Sequence, residues 1–190
     1  IMEGTRNSLV SRVIVALHPE GADKPPVQLE CDVSQCYVAG AADLAILHLR
    51  DTSQLETVGS LPIATTRPAL GSRCYVVGNP LGFDTCSLCE GVVRDNNFSG
   101  TNMVESIVIS APVYGGNSGS PILSPDGQVI GVISFAASFS TDPVLSCLAW
   151  GASWRMIDYV VKQMHARSEH FVGGHLGSGT EPRPVRADPD

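Results

Sequence analysis

The sequence predicts an all-β fold, either a sandwich or a barrel, with one helix near its C-terminus. Short apolar runs recur at roughly regular spacing along the 190 residues, and glycine- and proline-rich turns separate them. Segment 153–170 departs from this pattern because its apolar residues recur at helical spacing, namely Trp154, Ile157, Val160, Val161 and Met164. These observations indicate a β-structure on which a single amphipathic helix packs.

The predicted strands are short and follow one another along the chain. The first three are Arg12–Leu17, Val27–Val33 and Asp43–Leu49. Arg73–Gly78 has the composition of a buried strand, and two more strands are expected near residues 87–94 and 103–110. The apolar run 129–134 follows a Pro-Asp-Gly turn signal at residues 125–127. Ser153 stands where it can cap the helix that begins after it.

Charge and hydropathy limit the partners of the chain. The net charge is −7 and no segment carries a basic cluster, which argues against nucleic-acid binding. No apolar run reaches the length of a membrane-spanning helix, and the first residues do not resemble a secretory signal. We therefore expect a chain without a membrane segment that has been cut from a longer product. Residues 172–190 are polar and are predicted to form a disordered tail.

The six cysteines leave three kinds of chemistry open. Cys86 and Cys89 have the spacing of a zinc knuckle, but they lead into a predicted strand, where residues three apart point to opposite faces. Cys31 and Cys36 would form a poor second knuckle, and Cys74 and Cys147 stand alone. A zinc site and one or two disulfides remain alternatives, and free, mostly buried thiols are favoured.

Residues 115–121 (Gly-Gly-Asn-Ser-Gly-Ser-Pro) form a tight turn of small residues between two apolar runs. Such a turn can present Ser118 as a nucleophile while the N–H groups of Gly116 and Ser118 point at one place. A substrate carbonyl oxygen at that place would be stabilised as it gains negative charge. An ordinary glycine-rich hairpin turn explains this heptapeptide equally well.

Four motifs extend the argument beyond one turn. In chain order they are Asp43–Leu47 (DLAIL), Gly78–Gly82 (GNPLG), Gly116–Pro121 (GNSGSP) and Asp126–Val132 (DGQVIGV). In order and rough spacing they resemble the HtrA (Deg) family of trypsin-like serine proteases. The resemblance implies a trypsin-like double β-barrel, with the first barrel N-terminally incomplete and a C-terminal helix after the second. The implied protease domain covers residues 1–171, and its active site lies between the barrels.

The resemblance also assigns roles to residues. It implies a serine endopeptidase in which Ser118 is the nucleophile and Asp43 orients the base. The oxyanion hole would be the turn Gly116–Asn117–Ser118, with the first and last N–H groups as donors. Ser120 departs from the family's usual glycine, and we expect little consequence because serine is small. The implied substrates are polypeptides, no metal or organic cofactor is needed, and homo-oligomers would form through an N-terminal segment missing here.

The general base is the residue that this sequence does not show. The family's histidine precedes the aspartate by about thirty residues, and no histidine stands near residues 5–13. His18 lies in a turn after the first predicted strand, away from the expected site, and the remaining histidines have the setting of surface or core residues: His48, His165, His170 and His175. Two hypotheses follow. The chain is part of an active protease, or it is an inactive trypsin-like module that acts as a binding or scaffold domain. The joint retention of Ser118 and Asp43 favours the first.

The residues around the expected substrate pocket predict its specificity. Pro112 stands where trypsin-type enzymes carry an acid that holds Lys or Arg, so cleavage after basic residues is disfavoured. The other walls would come from Ser134, Phe135, Ala136 and Trp150. Because Trp150 is bulky, we expect a shallow apolar pocket that prefers small or medium apolar side chains.

Overall fold

The computed structural model describes residues 12–18, 25–55, 58–82, 86–99, 105–136 and 148–171. The predicted tail 172–190, Cys147 and His175 lie outside the described residues. The chain divides into two compact units. The first unit comprises Ile1–Gly40 and Ala45–Ser60, and the second comprises Ala41–Leu44 and Leu61–Asp190.

Short antiparallel strands make up the first part of the chain. β1 (Ile14–Leu17) pairs with β2 (Val27–Glu30), and β3 (Tyr37–Ala39) pairs with β4 (Leu44–Ile46). β2 ends before the predicted Val33 because the Asp32 carboxylate accepts hydrogen bonds from the backbone N–H and the hydroxyl of Ser34, which starts a 3-10 turn. Within the described residues these strands close no barrel.

Six antiparallel strands of the second unit form a closed barrel in the order β10-β7-β6-β5-β8-β9. The strands are β5 (Arg73–Gly78), β6 (Ser87–Ser99), β7 (Glu105–Ser110), β8 (Pro121–Leu123), β9 (Val129–Ala136) and β10 (Leu148–Ser153). The bounds of β5 are those predicted from its sequence. With the helix that follows β10, this barrel confirms the predicted all-β fold with a C-terminal helix.

The barrel interior is filled mainly by β-branched side chains that alternate along the strands. Ten of the described core residues are at most 2% exposed: Cys74, Val76, Val93, Ile107, Ile109, Ala111, Ile122, Ile130, Ile133 and Ala149. Burying a side chain of the size of valine or isoleucine contributes about 1.5–3 kcal/mol. This core is therefore the main source of stability in the second unit and the rigid support for the loops at its ends.

The helix α1 (Trp154–Phe171) starts directly after β10, as its capping residue predicts. The Ser153 hydroxyl accepts a hydrogen bond from the Met156 backbone N–H at 3.3 Å and donates one to Glu105 at 3.2 Å. Trp154 and Val160 are buried against the β-structure. The described part of the chain contains no helix with the length and apolarity that crossing a membrane requires.

The five described cysteines carry free thiols. Cys31 and Cys74 are buried, Cys36 and Cys89 are partly buried, and Cys86 is exposed. Nowhere in the described ranges do three potential metal ligands cluster. Burial, with a smaller effect of the nearby Glu90 carboxylate, raises the pKa of Cys74 to about 11.

The cysteine environments predict a large difference in reactivity. At pH 7 we expect iodoacetamide to modify Cys86 at least about 100-fold faster than Cys74, because only the thiolate reacts and Cys74 is both buried and protonated. Site-resolved mass spectrometry measures both rates. Equal modification rates in the folded protein would contradict the buried position of Cys74.

The raised pKa of Cys74 also makes stability depend on pH. Because the folded state favours the neutral thiol, the contribution of Cys74 to stability is complete below pH 9 and is lost as pH rises through about 11.

Gly151 offers a second test, because β9 and β10 meet at a β-bulge between Trp150 and Gly151. A Cβ atom at Gly151 would overlap the Val132 carbonyl oxygen and lie 2.7 Å from the Val132 carbonyl carbon. We expect Gly151→Ala to lower the free energy of unfolding in urea by about 3 kcal/mol. Gly59→Ala is the matched control, since a Cβ there meets nothing within 4 Å. Equal effects of the two variants would show that the strands are not in this register.

Candidate active site

Two consecutive turns build the segment that carries Ser118. In the first, the Asn117 N–H donates to the Tyr114 carbonyl at 3.1 Å. Its third residue, Gly116, has a φ of +99°. In a turn closed this way, a positive φ at the third position is the type II pattern, which favours glycine. The backbone conformation of this turn therefore favours glycine at position 116.

The second turn places Ser118 at its exposed corner. The Ser120 N–H donates to the Asn117 carbonyl at 2.9 Å, and Gly119 has a φ of +85° at the third position. Ser118 occupies the second position, where its side chain points away from the chain reversal and is exposed. The two turns together explain why the motif needs a glycine on each side of Asn117-Ser118.

Strand β9 holds the second turn from the side. The Gly119 N–H donates to the Ile133 carbonyl at 2.8 Å, and the Ile133 N–H donates to the Ser120 carbonyl at 2.9 Å. Ile133 is 2% exposed and belongs to the barrel core. Ser118 thus lies one residue from a backbone that the core fixes in place.

The end of β5 packs beneath the same turn. Asn117 is 1% exposed and Ser120 is 8% exposed. A Cβ atom on Gly78 would lie 2.5 Å from Asn117 Oδ1 and would overlap Ser120 Oγ, so only glycine fits there. Among the described residues Asn117 Nδ2 has no hydrogen-bond partner, and an unpaired buried donor costs about 1–3 kcal/mol. This packing holds the turn in place, and the unpaired Asn117 Nδ2 reduces the stability that the packing provides.

Leu81, which has a strained backbone conformation, contacts the first turn. Leu81 has φ 59° and ψ 14°, a left-handed conformation that costs a non-glycine residue about 1–2 kcal/mol. Its side chain is exposed. Its backbone N–H donates to the Gly115 carbonyl at 2.6 Å. The sequence motif Gly78–Gly82 predicts no role for Leu81 or Gly78, and their contacts with the Ser118 turn are visible only in the structure.

The predicted oxyanion hole has two backbone donors, the N–H groups of Gly116 and Ser118. Within the described residues, no backbone carbonyl accepts a hydrogen bond from the N–H groups of Gly116 or Ser118. Both residues lie at the exposed surface of the turn. Two such donors on either side of Asn117 can serve an oxyanion that forms next to the Ser118 hydroxyl.

Asp43 belongs to the same compact unit as Ser118, although residues just before and after it in the chain belong to the other unit. It is exposed, it directly precedes β4, and it has a φ of +50°. Aspartate is one of the residues that tolerate this left-handed conformation. The predicted strand Asp43–Leu49 is shorter in the structure, where β4 covers Leu44–Ile46. The conformation of Asp43 explains why β4 does not begin one residue earlier.

The predicted pocket walls on β9 and β10 are brought together. Phe135 and Trp150 face each other across the two strands, and their rings stack with centroids 5.8 Å apart at 24°. Phe135 is 53% exposed. Ser134 and Ala136 flank it on β9, whereas Pro112 lies exposed in the segment between β7 and the Ser118 turn. Beyond Ile133, β10 is the only described strand that pairs with β9.

His18, His48 and His165 are exposed. His18 directly follows β1, and His48 lies in the first unit, where its backbone N–H donates to Cys36 Sγ at 3.4 Å. His165 is exposed on α1, and His170 lies near the end of that helix. Of the two settings expected for these histidines, surface or core, His48 and His165 have the surface one.

Comparisons with known proteins place this geometry in a family. A family model described as a trypsin-like peptidase domain matches residues 4–132. The chloroplastic protease Do-like 5 of Arabidopsis thaliana is 34% identical over 95 residues, which are 47% of this chain and 29% of that protein. The serine protease DegP homolog of Plasmodium falciparum is 27% identical over 150 residues, 77% of this chain and 16% of that protein.

A solved structure supports the fold. The active form of the Rv3671c protease from M. tuberculosis superposes with a TM-score of 0.58 at 19% sequence identity, covering 75% of this chain and 60% of that one. The chain spans less than a third of the length of the two curated relatives it matches. Because the peptidase model matches well over half of the sequence, Asp43 and Ser118 included, the chain belongs to the trypsin-like peptidase family and is of the HtrA/Deg type.

Proposed function

We propose that this chain is the protease domain of a serine endopeptidase that hydrolyses peptide bonds through an acyl-enzyme on Ser118. The observation that carries the proposal is the double turn, in which Ser118 is exposed and the N–H groups of Gly116 and Ser118 have no backbone acceptor among the described residues. A binding module would need the barrel but would not need a hydroxyl and two oxyanion donors arranged together.

In the proposed reaction, Ser118 Oγ attacks the carbonyl carbon of the scissile bond and transfers its proton to a general base. The carbonyl oxygen becomes an oxyanion that the N–H groups of Gly116 and Ser118 stabilise. The base then gives the proton to the leaving amine, and water releases the acyl group by the same steps. Asp43 would orient the base. No histidine of this sequence has the family's spacing, so the proposal requires a base contributed by residues beyond these 190.

The substrate would be an extended peptide with an apolar residue before the cleaved bond. The open side of β9 at residues 134–136 can add a peptide strand, a common mode of peptide recognition. The stacked rings of Phe135 and Trp150 give this region an apolar wall. Pro112 supplies no negative charge to hold Lys or Arg.

The nucleophile is tested on the full-length protein with a fluorophosphonate probe, which labels activated serines. We expect labelling that Ser118→Ala abolishes and that Ser99→Ala, an exposed serine at the end of β6, leaves unchanged. Circular dichroism establishes that each variant is folded. A folded full-length protein that the probe does not label would instead support the inactive trypsin-like binding or scaffold module.

The pocket is tested by cleavage of a peptide library. We expect cleavage after small or medium apolar residues, and we expect Trp150→Ala to raise kcat/KM for larger apolar residues about tenfold, since removing a wall deepens the pocket. Phe98→Ala, which truncates an aromatic side chain on β6, is the matched control and leaves the profile unchanged. A profile dominated by Lys or Arg would refute the assignment of these walls.

A further inference from the structure

We propose that the second unit binds a short peptide with free ends in a cavity beside the turn between β8 and β9. The cavity has a volume of about 440 Å³, and pockets that take small ligands measure about 300–1,000 Å³. Residues 64–69 and 72 line one side, and residues 124, 126, 128 and 130 line the other. None of them takes part in the proposed reaction or in the predicted substrate pocket, so the inference does not rest on the protease function.

Hydrogen bonds hold the first wall of the cavity, residues 64–72, at two points. The Ala64 N–H donates to the Val129 carbonyl of β9 at 2.9 Å. The side-chain amide of Asn96, on β6, donates to the Pro68 carbonyl at 2.7 Å. The wall therefore has a fixed position against the barrel, although residues 65–69 form neither helix nor strand.

The second wall is the turn that joins β8 to β9. The Gly127 N–H donates to the Ser124 carbonyl at 3.0 Å and closes the turn. The Ser124 hydroxyl also accepts a hydrogen bond from the Gln128 N–H at 3.1 Å. Asp126 occupies the third position of this turn and is exposed. Both walls thus have a backbone that hydrogen bonds hold without a ligand.

The charges on the two walls select the class of ligand. Arg67 on the first wall and Asp126 on the second are exposed, and among the described residues neither forms an ion pair. A guanidinium group binds a carboxylate through two parallel hydrogen bonds, and a carboxylate accepts hydrogen bonds from an ammonium group. Asp126 would repel a simple anion, and Arg67 would repel a simple cation. The pair therefore favours a ligand that carries one charge of each sign.

A short peptide with free termini has this charge pattern. In a single amino acid both charges are attached to one carbon atom, whereas each further residue separates them by up to about 3.3–3.6 Å. A peptide of two or three residues can therefore reach both walls. Thr65 and Thr66 line the first wall with hydroxyl groups that can bond to peptide groups, and the buried Ala64 and Ile130 offer an apolar surface to small side chains.

The test uses trialanine and two derivatives that each lack one charge, trialanine amide and N-acetyl-trialanine. The protein is the full-length Ser118→Ala variant, so that the ligands are not hydrolysed by the proposed mechanism. Isothermal titration calorimetry measures the dissociation constants. We expect each derivative to bind at least about tenfold more weakly than trialanine, because each loses a hydrogen bond between charged groups. Free alanine should also bind at least about tenfold more weakly than trialanine.

Two further substitutions in this protein assign each end of the ligand to a residue. With Arg67→Gln, trialanine and its amide should bind equally, while N-acetyl-trialanine should remain weaker. With Asp126→Asn, trialanine and N-acetyl-trialanine should bind equally, while the amide should remain weaker. Each comparison is a double-mutant cycle in which the ligand carries the second change. Arg94→Gln, which removes an exposed arginine on β6, is the matched control and should keep both differences. Circular dichroism establishes that each variant is folded.

The outcomes separate this site from the proposed active site. Loss of each difference in the matching variant supports the peptide site. Equal binding of trialanine and its two derivatives overturns it, and so does the absence of binding at millimolar concentrations. Differences that survive both substitutions place the peptide elsewhere and overturn it as well. Free alanine bound as tightly as trialanine would overturn the assignment to a peptide. None of these results depends on whether the fluorophosphonate probe labels Ser118, so the two proposals fail independently.

Discussion

The pair of hydrogen bonds between Ile133 and the turn before β8 fixes the position of Ser118, the proposed nucleophile. Ile133 is a core residue of the barrel, and its N–H and carbonyl hold Ser120 and Gly119, the last two residues of that turn. Productive catalytic geometry has to be kept within about 0.5 Å. Because the barrel is closed and its core is packed with β-branched residues, the position of Ser118 depends on core packing more than on loop conformation.

The glycines in and beneath the Ser118 turn are required for two different structural reasons. A hairpin turn requires a glycine only where φ is positive, and Gly116 and Gly119 meet that requirement. Glycine is required at position 78 for a different reason. Gly78 lies in β5, and a Cβ atom there would collide with the side chains of Asn117 and Ser120. A distant strand therefore carries a residue whose size is dictated by the turn. In the heptapeptide alone these two explanations are indistinguishable, and the close approach of β5 separates them.

The elements that could be predicted are those whose signal is local. β5 has the composition of a buried strand, and α1 has a capping serine directly before it, so the sequence predicts the bounds of both within a residue or two. β10 contains small residues of low strand propensity and was identified only as a pocket wall. It is a strand because β7 and β9 flank it, with Gly151 fitting against Val132. Likewise the roles of Gly78 and Leu81 depend on contacts between distant segments, which no local pattern reveals.

Two features in and next to the Ser118 turn lower the free energy of unfolding. Leu81 in a left-handed conformation costs about 1–2 kcal/mol, and the unpaired Asn117 Nδ2 costs about 1–3 kcal/mol. Together these amount to a large part of the 5–15 kcal/mol that stabilises a typical domain. Glycine at position 81 would remove the first cost, and an apolar residue at position 117 would remove the second. Both costs fall on residues that contact one seven-residue segment, and the core of the barrel offsets them. Both costs thus lie next to the exposed Ser118 hydroxyl, which the proposed mechanism uses as its nucleophile.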